Sequence, residues 1–370
     1  DPANLPTPQS GLIARAVEMR ASDLHIEPSP NKIRARVRID GYLHHLTDLP
    51  IDFTARIIAR IKILARLDVT ERRLHQDGKI HIKVGGRDID IRVSTYVSVF
   101  GETVVMRLLD RERGIVRLEG IGFQPHALAV LNETVLEAAA GLVLTVGPTG
   151  SGKTTTLYSF IHHANDPSEK VITCEDPVEY VIDGITQCSV NPRTGPTFAD
   201  SLRAIVRQDP DTIVVGEIRD PATALLAAEA ALTGHKVYST FHTEDAVGAF
   251  VRLLEMGVEP FLVSSTITGV VAQRLVRRLC PNCRVPHRPT PAELRILRLE
   301  PSDIPPGALH RSKGCAECSG TGFKGRLAVH EVLVPNEAFR DALLQRAPSS
   351  TLRDLARARP EFLTLQEDGV

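Results

Sequence analysis

Residues 147–155 read GPTGSGKTT and follow an apolar run, LVLTV, at 142–146. Gly147, Gly152, Lys153 and Thr154 satisfy the spacing G-x-x-x-x-G-K-[ST] of a phosphate-binding loop. Glycines adopt backbone conformations that other residues avoid, so successive N–H groups can close around phosphate oxygens. The helix expected next adds unpaired N–H groups and the positive end of its dipole. Lys153 is expected to reach the β- and γ-phosphates of ATP, and Thr154 to ligate Mg²⁺. The candidate nucleotide-binding residues are Gly147, Pro148, Thr149, Gly150, Ser151, Gly152, Lys153, Thr154 and Thr155. An accidental match in a Gly-rich turn is the plainer alternative, and the strand-before, helix-after context argues against it.

The loop also constrains the fold around it. From about residue 121, helical stretches alternate with short apolar strands: 142–146, VITC at 171–174, TIVV at 212–215 and KVYST at 236–240. Such alternation predicts an α/β fold with a parallel sheet covered on both faces. Ligands of such sheets sit at the carboxyl ends of the strands, so the residues just past each strand matter most. Upstream, KIRARVRIDG, KIHIKVGGRDIDIRVSTY and ETVVMRLLD alternate apolar and polar residues, as strands with Gly turns do. Helices are expected over 11–20 and 52–67. This predicts an α+β domain over 1–110, a linker over 111–120 (with the charged run RERG at 111–114), and the ATPase domain over 121–370.

Past TIVV comes Glu217, placed like a carboxylate that acts through the water shell of a bound metal. A Glu that only caps the next helix is the alternative. Past VITC comes Glu175, a candidate to orient or deprotonate an attacking water, although acidic turns are common. Past KVYST comes His242, which could hydrogen-bond a γ-phosphate or be structural.

In combination these strand ends are distinctive. The chain resembles the secretion ATPases of type II secretion and type IV pilus assembly, the GspE/PilB family, over nearly its whole length. The matching text is GPTGSGKTT, ITCEDPVEY (the Asp box), LRAIVRQDPDTIVVGEIRD and TGHKVYSTFHTEDA (the His box), with SDLHIEP and RVSTYVSVFGETVVMRLLD upstream and AQRLVRRLCPNC downstream. The resemblance implies a RecA-like P-loop NTPase domain preceded by a smaller α+β, PAS-like domain, with a zinc-binding subdomain at about 275–325 and a C-terminal helical part over 326–370. It implies that Glu175 is catalytic, that Glu217 is the Walker B residue and that His242 contacts the γ-phosphate region. Arg203 and Arg207 match arginines of nucleotide sensing or subunit coupling. Arg92 and Arg107 match arginines that reach the phosphates from the smaller domain, where a delocalised charge suits phosphoryl transfer. Phe241 stands where Leu is usual, and Cys174 where Val or Ile is usual; neither change removes a reacting group.

Six cysteines include two close pairs, Cys280/Cys283 and Cys315/Cys318. Paired C-x₂-C knuckles suit a tetrahedral Zn²⁺ site, though the gap between them is long and two pairs could fold apart. The Pro-rich text between them has one short helical run, ELRILRLE, and no evident core, so it needs a staple. The resemblance points to structural zinc, since the secretion and extension branches share this quartet.

Formal net charge is −1 and Trp is absent, so neither a global field nor a wealth of stacking rings favours nucleic acid. No apolar run is long enough to span a bilayer and no signal peptide is read at the N-terminus. A chain starting at Asp1 without Met is expected to be part of a longer one. The resemblance implies a homo-hexamer on the cytoplasmic side, held at the inner membrane through a platform protein and a membrane-anchored docking protein. The expected function is a motor ATPase for type II secretion. A pilus extension ATPase and a nucleotide-switched, non-catalytic scaffold are the alternatives.

Overall fold

A computed structural model describes residues 8–110, 116–191, 195–305 and 307–369. The charged run at 111–114 lies outside the described residues. The chain divides into two compact units, Asp1–Gly114 and Ile115–Val370.

The first unit contains α1 (Pro8–Glu18), β1 (Asp23–Pro28), β2 (Lys32–Ile39), β3 (Tyr42–Pro50), α2 (Thr54–Leu64), β4 (Gln76–Val84), β5 (Arg87–Ser98) and β6 (Gly101–Asp110). The strands form one antiparallel sheet in the order β3-β2-β1-β6-β5-β4. The period-2 alternation sorts its faces. On β2, Ile33, Ala35 and Val37 are buried in a core shared with Ile57, Ile58 and Ile61 of α2, while the intervening arginines face away. The helix expected over 52–67 is shorter: a 3-10 turn, Ile51–Phe53, precedes α2. Beyond Leu64 the chain turns, with Arg66 in a left-handed conformation. Lys62 is buried, its ammonium 2.5 Å from Glu102 and 2.6 Å from the Glu71 carbonyl. That pairing removes the cost of an isolated buried charge.

The second unit runs α3 (Pro125–Val130), β7 (Gly141–Val146), α4 (Lys153–Ala164), β8 (Val171–Glu175), β9 (Thr186–Ser189), α5 (Phe198–Ile205), β10 (Thr212–Val215), α6 (Pro221–Leu232), β11 (Lys236–Phe241), α7 (Ala246–Glu255), α8 (Pro260–Thr266) and β12 (Ile267–Leu279). It continues through β13 (Val285–Pro286), α9 (Pro291–Leu297), β14 (His310–Arg311), β15 (Phe323–Leu333), α10 (Glu337–Leu344), α11 (Ser349–Arg357) and α12 (Leu365–Asp368). The large sheet has the order β15-β12-β7-β11-β10-β8-β9. It is parallel from β12 to β9, and β15 joins its edge antiparallel. All of β7 is buried, as a central parallel strand must be. Leu142, Leu144 and Val146 enter one core, with α5 to α8, α10 and α11. Val143 faces the other, with α3 and α4.

Two expectations need correction. Residues 326–333, expected within a helical part, belong to β15: the Val329-His330-Glu331-Val332 stretch pairs with β12 and completes the sheet edge. The helix expected over 293–300 ends at Leu297, because Arg298 turns left-handed and Pro301 follows soon after. Among the described residues, no helix is long and apolar enough to cross a membrane.

Candidate nucleotide site and cysteine cluster

Parallel register lines up the strand ends. Val146 pairs with Phe241 and Ala272, and Val215 pairs with Cys174 and Ser239. The residues that follow, Gly147, His242, Gln273, Glu175 and Gly216-Glu217, therefore emerge along one edge of the sheet. The sequence reading of the P-loop and its neighbours rests on this alignment.

Between β7 and α4 the loop turns back on itself. Gly147 has φ +151° and Gly152 φ +92°, conformations that a side chain resists. Gly152 is the N-cap of α4 and no side chain caps that helix, so its first N–H groups are open to an anion. Ser151 Oγ is buried without a hydrogen-bond partner among the described residues. These features fit a phosphate group. Lys153 Nζ donates to the carbonyls of Gly147 at 2.7 Å and Pro148 at 3.0 Å. Burial pushes Lys153 down to about 8, with Glu217 pulling upward and Arg274 adding to the depression. Pro148, Thr149, Gly150, Thr154 and Thr155 are exposed around it.

Glu217 and His242 come together. Glu217 Oε2 lies 3.6 Å from His242 Nε2, and Glu217 Oε1 lies 2.6 Å from Arg219. Arg219 also reaches Asp176 at 3.7 Å, linking the ends of β10 and β8. Burial, and then Lys153, hold His242 below the ordinary histidine range despite Glu217. The imidazole is thus neutral at pH 7 and can offer one N–H. The next loop is tied down as well: Arg274 donates to the Glu244 carbonyl at 2.6 Å, and Arg353 pairs with Asp245 at 3.0 Å.

Glu175 is placed differently. It is buried, and both its oxygens are engaged. The Tyr158 hydroxyl donates to Oε2; Thr173 and Gln187 donate to Oε1 at 2.7 and 3.1 Å. The same Tyr158 oxygen accepts the N–H groups of Glu179 and Tyr180 at 3.0 and 3.2 Å. Burial and the Glu175 carboxylate push the phenol far above its ordinary range, so it stays a donor. Neither Tyr158 nor Arg219 was singled out from sequence. A Tyr in a helix reads as core, and an Arg beside an Asp reads as a surface pair.

Of the four remaining arginines, two lie in the second unit and two in the first. Arg203 lies on α5, exposed, 3.3 Å from Asp200. Arg207 is exposed in the turn after α5. In the first unit, Arg92 and Arg107 are directly opposed on β5 and β6, with Lys79 beyond Arg92 and Asp23 beyond Arg107. Asp23 is 3.4 Å from Arg107 and 3.8 Å from Arg38. Like charges side by side repel, and the Asp23 carboxylate offsets part of that repulsion.

The sulfurs of Cys280, Cys283, Cys315 and Cys318 lie within 4.8 Å of one another. Neighbouring separations are 3.9, 3.9 and 3.7 Å. A disulfide needs about 2.05 Å. A tetrahedron with Zn–S near 2.3 Å has edges of about 3.8 Å, so the four sulfurs fit that ion. Burial acts against charge on Cys318, but N–H groups of Cys315 and Gly322, at 3.2 and 3.1 Å, hold it below the ordinary thiol range, while burial pushes Cys283 up. The knuckle closes the end of the β12–β15 ribbon: Leu279 pairs with Phe323, and Cys280 N–H bonds the Gly322 carbonyl at 2.9 Å.

The family model for "Type II/IV secretion system protein" matches residues 8–369. The chain belongs to this family. It is 44% identical over 360 residues to the type II secretion system protein E of Pseudomonas aeruginosa, covering 97% of this chain and 71% of that protein. It is 46% identical over 359 residues to the type IV pilus assembly ATPase PilB of Thermus thermophilus, covering 97% of this chain and 40% of that protein. The structure of the Legionella pneumophila ATPase DotB superposes with a TM-score of 0.69 at 23% identity, covering 97% of this chain and 89% of that one, and so shares the fold. The family resemblance and the α/β expectation are both borne out.

Proposed function

We propose that this chain is a P-loop motor ATPase that hydrolyses Mg-ATP to power type II protein secretion through pseudopilus assembly. The observation that carries the chemistry is the shared sheet edge, where the uncapped start of α4 and Lys153 meet Glu217 and His242. The type II secretion relatives carry the setting. The P-loop N–H groups and Lys153 hold the phosphates. Thr154 would ligate Mg²⁺, and Glu217 would hold its water shell. Neutral His242 donates to the γ-phosphate region. Arg92 and Arg107 supply charge to the transferred phosphoryl group, while Arg203 and Arg207 sense nucleotide or couple subunits. Glu175 orients the attacking water after Tyr158 yields one oxygen. A second reading of Glu175 is favoured by its three hydrogen bonds: it holds the turn at 176–180 in place without touching water.

We further propose Zn²⁺ at the four cysteines, in a structural role because four thiolates leave no open position. The working form is a homo-hexamer on the cytoplasmic face of the inner membrane. It engages a platform protein and a membrane-anchored docking protein, and not nucleic acid. The first unit is PAS-like and the second RecA-like in this reading.

The test is phosphate release across a protein concentration series, with mass measured in solution. Turnover per subunit should rise as hexamers form and fall at least about a hundredfold in Glu217→Gln. A variant that hydrolyses like wild type refutes the site. Glu175→Gln separates its two readings: a comparable loss at unchanged ATP affinity means a catalytic carboxylate, whereas a mild loss with a lower melting temperature means a positioning one.

A further inference from the structure

Gln273 lies on β12 one residue past the end of its pairing with β7, and it is 1% exposed. Its amide bridges the P-loop and α4. Nε2 donates to the Ser151 carbonyl at 2.7 Å, and Oε1 accepts from the Thr156 hydroxyl of α4 at 2.7 Å. The loop's two bordering glycines close around the same residue. A Cβ on Gly147 would lie 2.6 Å from the Gln273 carbonyl oxygen, and one on Gly152 2.9 Å from Nε2.

We propose that Gln273 is a positioning residue for nucleotide binding, acting through Ser151 and Thr156 and not by touching the nucleotide. One peptide unit, Ser151–Gly152, links Gln273 to the cradle. A trans peptide sets its C=O and N–H in opposite directions. Holding the Ser151 carbonyl inward therefore turns the Gly152 N–H outward, toward the phosphate cradle. Without that hold the unit can rotate, because Gly152 accepts either sign of φ. The position demands a donor and an acceptor at one fixed reach. A carboxylate would face the Ser151 carbonyl with a second acceptor, and an apolar side chain would release both contacts.

This inference rests on the P-loop reading, and its test keeps the two apart. ATP KM and kcat, ADP Kd and melting temperature are measured for wild type, Gln273→Met, Thr156→Val and Thr156→Ser. A cradle shaped in advance serves ground and transition states alike, so its loss raises KM more than it lowers kcat. Gln273→Met should raise KM and ADP Kd about tenfold, the scale of one buried hydrogen bond, with kcat within about twofold. Thr156→Val should give a smaller rise in the same direction, and Thr156→Ser, which keeps the hydroxyl, none. The double variant should be no worse than Gln273→Met alone, since both remove one linkage. Lower melting temperatures with unchanged KM and Kd in both Gln273→Met and Thr156→Val overturn the proposal; if Gln273→Met does not fold, Thr156→Val decides alone. A wild-type protein that neither binds nor hydrolyses nucleotide overturns the P-loop reading itself.

Discussion

At the scale of single residues, the site sets its charges by burial. Lys153, brought down to about 8, is charged below that value and neutral above it. Phosphates favour the charged form. ATP affinity is therefore expected to hold at pH 7 and to fall about tenfold by pH 9, since a neutral amine must first take up a proton. Nucleotide titrations at fixed free Mg²⁺ across that range check it; a flat profile means that Lys153 does not meet phosphate. Tyr158 allows a second test. Tyr158→Phe removes a donor from Glu175 and an acceptor from two backbone N–H groups. Unpaired buried groups cost roughly 1–3 kcal/mol each, so the denaturation midpoint should fall clearly. A midpoint equal to wild type means that these hydrogen bonds are not formed in solution.

At the scale of elements, β12 and β15 tie the site to the cysteine cluster. His330 of β15 is buried against Phe123, their rings 3.8 Å apart, and burial lowers it to about 4. In the unfolded chain a histidine takes up its proton near pH 6.5, whereas this one resists until about 4. The folded state therefore loses stability as pH falls through that window. At about 1.4 kcal/mol per pKa unit the loss is roughly 3 kcal/mol. His330→Phe should flatten the fall of the urea midpoint between pH 6.5 and 4 relative to wild type. The proposed zinc gives a test on the same ribbon: a strong chelator should release about one equivalent of metal and open 281–321 to protease while the main sheet holds.

The elements differed in how legible they were. The strands β7, β8, β10 and β11 could be read because they are short apolar runs ended by turn residues, and the P-loop because its chemistry permits few alternatives. The β15 edge was hidden, since RLAVHEVLV carries charge and alternates weakly. Its strand form comes from pairing with β12 rather than from local propensity. Among site residues, Glu175, Glu217 and His242 drew notice by their positions past strand ends, and their expected roles came from the family resemblance. Gln273 and Tyr158 were not legible, because each acts through partners distant in sequence, and Arg219 was not, because its pairing with Glu217 and Asp176 reads as a surface ion pair.

At the scale of the whole molecule, the two units keep separate cores. The cluster around Leu24 and Ile57 draws only on the first, and those around Leu144 and Val143 only on the second. A piece spanning 116–370 is therefore expected to fold, to bind nucleotide and to hold its metal. Under the role proposed for Arg92 and Arg107, it should turn over far more slowly than the full chain. Circular dichroism melts, nucleotide titration and phosphate release together test this. Turnover equal to the full chain would remove both arginines from the reaction.

The chain leaves the sheet at Leu279 and re-enters at Phe323, which face each other in register, with Cys280 N–H bonded to the Gly322 carbonyl just beyond. Everything between is thus an excursion whose two doors stand side by side. Such a segment can be exchanged like a cartridge. Replacing 281–321 with a tight turn, or with a fluorescent module whose ends are equally close, leaves the strands on either side the same distance to span. The ribbon thereby offers a port for reporters on a machine whose remaining surfaces are to be left untouched.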